Sequence, residues 1–116
     1  MTDYHDLKAW KEAFRLSALV HEIVNNLPRS EDWALKSQLN KSVLSIVSNI
    51  VEGSKKSVKG FINYLTIAHA STAELETQLY IVETLQLASP ERMSAALDKT
   101  DHVSRLIFLL RRGISK

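Results

Sequence analysis

Gln38-Leu39-Asn40-Lys41-Ser42-Val43-Leu44-Ser45-Ile46-Val47-Ser48-Asn49-Ile50-Val51-Glu52-Gly53 decides the fold of this chain. At helical spacing Leu39, Val43, Ile46 and Ile50 form one apolar stripe. Gln38, Ser42, Ser45, Asn49 and Glu52 form a second, polar stripe one step round the same helix. A face turned to solvent is ordinarily filled with Lys, Glu and Arg, which are good helix formers. Small hydroxyls, amides and a single carboxylate are instead the groups that hydrogen-bond between packed helices. Gly53 then reads as the stop signal.

Working outward, glycine and proline sit almost entirely at joints. Pro28, Gly53, Ser89-Pro90 and Gly113 separate four apolar-periodic stretches, at about residues 5–26, 31–52, 58–88 and 90–112. Gly60 is the exception, in the first turn of the third helix, where its cost is lowest. Ser30 is the expected cap of the second helix, with Glu31 and Asp32 facing the positive end of its dipole. Ser57 is the expected cap of the third and Ser89 that of the fourth, with Pro90 at the first helical position. Arg111 and Arg112 close the fourth helix with cations at its negative end. Short links between long helices make neighbours antiparallel, so the expected fold is an all-α, up-down-up-down four-helix bundle of one domain, residues 1–116.

The core faces follow. The first helix offers Leu7, Trp10, Phe14, Val20, Val24 and Leu27. The third offers Phe61, Leu65, Ala68, Thr72, Leu75, Leu79 and Val82, and the fourth Met93, Leu97, Val103, Ile107 and Leu110. An excess remains in Ala9, Leu16, Leu19 and Ile23 of the first helix and in Ile62, Ile67, Tyr80, Ile81 and Leu87 of the third. A monomeric bundle needs one apolar face per helix, so the second stripes lead us to expect a homo-oligomer.

At 116 residues, 45% apolar and 24% charged, the chain has the composition of one globular domain. It has no cysteine, hence no disulfide, thiolate nucleophile or cysteine-type zinc site. No apolar run approaches the ~20 residues that span a bilayer, and residues 1–6 lack the pattern of a secretory signal, so a cytoplasmic protein is expected. There is no Gly-rich phosphate loop and no Gly-x-Ser-x-Gly elbow. None of the four histidines, His5, His21, His69 and His102, follows a glutamate by three residues, as diiron bundles require. The expectation is no enzyme, no catalytic residue, no cofactor and no metal.

In a hairpin closed around residues 53–57, Gln38 should lie near Thr72 and Glu74, and Ser42 near His69. Gln38, Ser42, Asn49, Glu52 and Glu74 are therefore expected as polar contacts that fix helix register, because buried polar groups must be paired. The net charge is only +2 but unevenly spread. Between Trp33 and Ala73 stand Lys36, Lys41, Lys55, Lys56 and Lys59 against Glu52 alone. After Asp101 stand Arg105, Arg111, Arg112 and Lys116 with no acid, and residues 74–101 are acidic in compensation. Lys55, Lys56 and Lys59 fall at the start of the third helix, where free backbone N–H groups favour phosphate. Lys36, Lys41, Lys55, Lys56, Lys59, Arg111 and Arg112 are the candidate nucleic-acid contacts, for phosphate binding without sequence readout. Trp10, Trp33 and Tyr64 fall at or beside apolar positions and read as core or interface residues, not base-stacking platforms. The alternative function is a protein-interaction scaffold that docks a partner through the apolar stripes of the first and third helices.

The ordered matches Asp6-Leu7-Lys8-Ala9-Trp10, Leu27-Pro28, Leu35-Lys36-Ser37-Gln38-Leu39, Ser45 to Gly53, Phe61, Tyr64 to Ala68, Ser71 and Ala73 to Thr77 carry a family resemblance. The chain resembles the four-helix bundle proteins associated with intervening sequences in bacterial 23S ribosomal RNA genes, the S23 ribosomal protein type. It departs in having Asn40-Lys41 where two basic residues are usual, and Val51 where alanine is usual. The resemblance implies a left-handed bundle assembled into a ring-like homopentamer. The family is similar to the accessory proteins of diversity-generating retroelements, basic pentameric barrels that engage RNA and a reverse transcriptase. Other members have no settled biochemical role.

Overall fold

The computed structural model describes residues 3–115 as four antiparallel helices: α1 (Lys8–Asn26), α2 (Ser37–Ser54), α3 (Val58–Thr84) and α4 (Pro90–Ile114). Each packs on its chain neighbour, and α1 closes the square against α4. The bundle measures 44 × 24 × 20 Å. Among the described residues there is no strand, and no helix is long and apolar enough to cross a membrane. The core is the stripe read from the sequence, with Leu39, Val43, Ile46 and Ile50 meeting Leu65, Ala68, Leu75, Leu79 and Val82, then Met93, Val103 and Ile107. On α1 both stripes enter the core: Val20, Val24 and Leu27 of the first are buried together with Ala9, Leu16 and Ile23 of the second, while Phe14 is exposed.

Ser57 and Ser89 cap α3 and α4, each accepting a backbone N–H three residues on, from Gly60 and Arg92, at 3.2 Å. Four helix ends differ from expectation. Residues 4–6 form a separate 3-10 turn, with Leu7 extended before α1 begins. Ser30 caps nothing: Arg29–Glu31 is a 3-10 turn and Asp32–Lys36 a wide π turn that leads into α2. Leu35 anchors this segment in the core, and Trp33, two residues earlier, points away from it and is 95% exposed. Of its two expected places, core or interface, that removes the core.

Gly53 does not stop α2, which runs on to Ser54. It is buried where α2 and α3 come closest: a Cβ there would lie 2.7 Å from Tyr64 Cβ and 2.9 Å from Phe61 Cδ1. The third helix ends at Thr84, not 88. Gln86 is left-handed (φ 54°), and the Leu87 N–H reaches back to the Val82 carbonyl at 3.1 Å, a closure ordinarily built on glycine. Gln86→Gly is therefore expected to stabilise the fold by about 0.5–1 kcal/mol, read as a higher urea midpoint.

Candidate nucleic-acid interface

The polar seam between α2 and α3 sets which side chains face outward. The Ser42 hydroxyl lies 3.0 Å from Glu74 Oε1 and 2.9 Å from Gln78 Oε1, its one proton shared between them. One turn on, Asn49 Nδ2 donates to Ser45 Oγ (3.1 Å) and to the Ser45 carbonyl (2.7 Å). Ser45 Oγ meets Ser71 Oγ at 2.8 Å, and Ser71 Oγ donates to the Ile67 carbonyl at 3.1 Å. The direction of donation is thus consistent along the chain from Asn49 to Ile67.

The register differs from the expected one by a little over a turn, since Ser42 faces Glu74 and Gln78, not His69. The cause is Gly53. Because Gly53 seats on Tyr64 and Phe61, the first turn of α3 projects beyond the end of α2 instead of folding straight back. Gln38 and Glu52 stand exposed outside the seam. Among the described residues Asn49 hydrogen-bonds only within its own helix and reaches the seam through Ser45.

The antiparallel order brings the carboxyl ends of α2 and α4 and the amino ends of α1 and α3 to one end of the bundle. Lys55, Lys56, Lys59, Arg111 and Arg112 are all there, and among the described residues none lies in salt-bridge contact with an acid. Lys55 Nζ sits 5.5 Å from the Tyr4 ring centre and Lys56 Nζ 5.9 Å from that of Tyr64. Gly60 makes the second contact possible, as a Cβ there would be 2.7 Å from Lys56 Cβ. Lys36 and Lys41 belong to the amino end of α2, at the far end of the bundle. Lys36 is half-buried and paired with Asp32 at 2.5 Å. The seven candidate cations are therefore one group of five and a separate two.

Beside the group of five, between α3 and α4, lies an open groove of about 440 Å³ lined by Ile62, Thr66, Phe108, Arg111, Arg112 and Ser115. The Arg111 and Arg112 guanidiniums stand 5.9 and 5.8 Å from the Phe108 ring centre, and Arg111 donates to Thr66 Oγ1 at 3.3 Å. His69 backs Phe108 at 6.4 Å between ring centres. Burial lowers the His69 pKa, and the nearby Arg111 charge lowers it further, so the ring is held neutral beside the arginines. This groove escaped sequence reading because Phe108 lies off the main seam of α4. The signal was the Phe108, Arg111, Arg112 spacing, which puts all three on one helix face.

A second cluster also went unread. Glu12 lies inside the buried stripe of α1, its Oε2 2.5 Å from Arg15 Nη1 and its Oε1 3.1 Å from Lys99 Nζ and 3.5 Å from His102 Nδ1. The readable signal was an acid interrupting the Ala9, Ala13, Leu16 stripe. Among the described residues no three His, Cys, Asp or Glu side chains converge as metal ligands would.

No curated protein matches this chain significantly. Among solved structures, a protein of unknown function from the S23 ribosomal protein family of Bacteroides thetaiotaomicron VPI-5482 superposes with a TM-score of 0.82. The match covers 89% of this chain and 97% of that one at 19% identity, a likeness of fold. The 23S rRNA-intervening sequence protein family matches residues 5–108, nearly all of the bundle and the whole of the α2–α3 seam. This chain belongs to the 23S rRNA-intervening sequence protein family.

Proposed function

We propose that this protein is a non-enzymatic, cytoplasmic helical bundle that assembles into a ring-like homo-oligomer, a pentamer by family resemblance, and binds structured RNA or DNA through its basic end. The observation that carries the reading is the gathering of Lys55, Lys56, Lys59, Arg111 and Arg112 at one end, with none of them in salt-bridge contact among the described residues and only Asp3 placed to act on Lys55 through space. Three lysines around the amino end of α3 oppose its dipole, a cost to stability that a phosphate backbone would offset. Repetition round a ring multiplies the patch, and phosphate contacts of this kind are strongly salt-dependent. Lys36 and Lys41, at the other end, fit a secondary contact at most.

The test is fluorescence anisotropy with a structured ribosomal RNA fragment at low and physiological salt. Binding should weaken steeply as salt rises. Changing Lys55, Lys56 and Lys59 together to Glu should weaken it at least about tenfold. Unaltered binding by that variant would refute the assignment.

The exposed apolar side chains support a second reading, a scaffold that docks another protein. Phe14 on α1, Tyr80 and Ile81 on α3, and Leu85 just past its end remain exposed, and the last three line a cleft of about 260 Å³ with Thr77 and Thr84. A partner captured in a pull-down that resists both nuclease and salt would favour that reading over the basic surface.

A further inference from the structure

The α3–α4 groove has a shape and charge that a general phosphate-binding surface does not need. Phosphate contacts require only cations within reach, and exposed lysines supply them. Here Phe108 keeps 42% of its surface open in a groove whose rim holds two guanidiniums. Among the described residues no carboxylate lines the groove, while two hydroxyls, from Thr66 and Ser115, do. The part-exposed Phe108 beside Ile62 suits a flat apolar ring, and the two guanidiniums, 5.9 and 5.8 Å from the Phe108 ring centre, suit a phosphate. A nucleotide joins those two features in one ligand. A continuous duplex cannot supply it, because its base faces are covered by stacking.

We propose that the α3–α4 groove binds one unpaired nucleotide of a nucleic-acid strand, its base against Phe108 and Ile62 and its phosphate on Arg111 and Arg112. The inference rests on the nucleic-acid reading above and adds a preference for loops and single-stranded ends over uninterrupted duplex. Lys59 lies one turn before Ile62 on the same face of α3, in position for the phosphate of the adjoining nucleotide. Thr66 holds Arg111 in place across the groove.

The experiment compares an RNA hairpin carrying 2-aminopurine in its loop with a blunt duplex of equal phosphate number, at one salt concentration. Anisotropy reports total binding and 2-aminopurine fluorescence reports the environment of the unpaired base. The hairpin should bind about tenfold tighter than the duplex, with a change in probe fluorescence. Phe108→Ala should abolish that preference and the fluorescence change while leaving duplex affinity intact, and Phe108→Trp should retain both. Equal affinity for the two RNAs, or a Phe108→Ala variant indistinguishable from wild type, overturns the groove assignment and leaves the basic-surface reading standing. Adenosine monophosphate that displaces the hairpin at equal concentration overturns the assignment to a strand in favour of a free nucleotide. Failure to bind either RNA overturns both readings together.

Discussion

Gly53→Ala is expected to destabilise the bundle by about 1–2 kcal/mol, although alanine is the better helix former by about 1 kcal/mol. The helix term favours the substitution because α2 continues through this position to Ser54. The packing term opposes it. An alanine Cβ would sit 2.7 Å from Tyr64 Cβ, well inside contact distance, and 2.9 Å from Phe61 Cδ1. The Phe61 ring can rotate away, but Tyr64 Cβ is fixed to the backbone of α3. Relief therefore requires α3 to move from α2, and the Ser42 and Ser45 contacts move with it. Gly53→Leu cannot be accommodated by so small a shift and should cost more than about 3 kcal/mol. Gly113→Ala is the control. Nothing lies within 4 Å of a Cβ there, and α4 is helical through it, so that variant should be neutral or stabilised by up to about 1 kcal/mol. Urea unfolding of the three variants decides the matter, and a Gly53→Ala protein as stable as wild type would show that the helices do not approach this closely.

Gly53 also shows where sequence reading ran out. A glycine after an apolar helical run has two physical meanings: it can end the helix, or it can admit a neighbour. Nothing within one helix distinguishes them, because the second depends on what the facing helix brings, here Tyr64. The register error followed from the same ambiguity, since a helix stopped at residue 52 pairs Ser42 with His69. What depends on a single helix was legible: the Leu39 to Ile50 stripe, the Ser57 and Ser89 caps, and the polar seam through Ser42 and Ser45. The end of α3 was not, because Leu87 continues the apolar pattern beyond the left-handed Gln86. Phe14 and Trp33 show the converse limit. Both are apolar at helical spacing, and both point outward, since spacing fixes which residues share a face but not which face the bundle buries. The division of the seven candidate cations into five and two was legible in the expected fold. Antiparallel topology makes it, by bringing residues 55–59 and 111–112 to one end.

Glu12→Gln is expected to cost about 1–2 kcal/mol near neutral pH and to flatten the acid limb of the stability curve. Among the described residues Glu12 is the one carboxylate in a salt bridge between α1 and α4, accepting from Arg15 on its own helix and from Lys99 across the interface. Removing one partner of a buried ion pair can cost 3–5 kcal/mol, because the other charge is stranded. That figure must be reduced here. The Arg15 side chain is 65% exposed and Lys99 and His102 reach the surface, so all three can turn to water when the carboxylate is lost. The hydrogen bond from Arg15, then that from Lys99, holds the Glu12 carboxyl below its ordinary pKa of 4.5. With the folded value depressed, the unfolded chain binds the proton more readily. The stabilisation is therefore complete above about pH 4.5 and is lost as pH falls through the folded value. Asp3, whose carboxyl is lowered by the backbone N–H and then the side chain of His5, also titrates below its ordinary value, so the variant should lose only part of the acid dependence. Glu12→Lys is the sharper probe. It would place a fourth basic side chain among Arg15, Lys99 and His102 at a buried position, and about 3 kcal/mol or more should be lost. Thermal melts from pH 3 to 7 on wild type and both variants test this. A Glu12→Gln protein with the wild-type acid slope would mean that the α1–α4 contact stands on Ala9, Leu16 and Val103 packing alone.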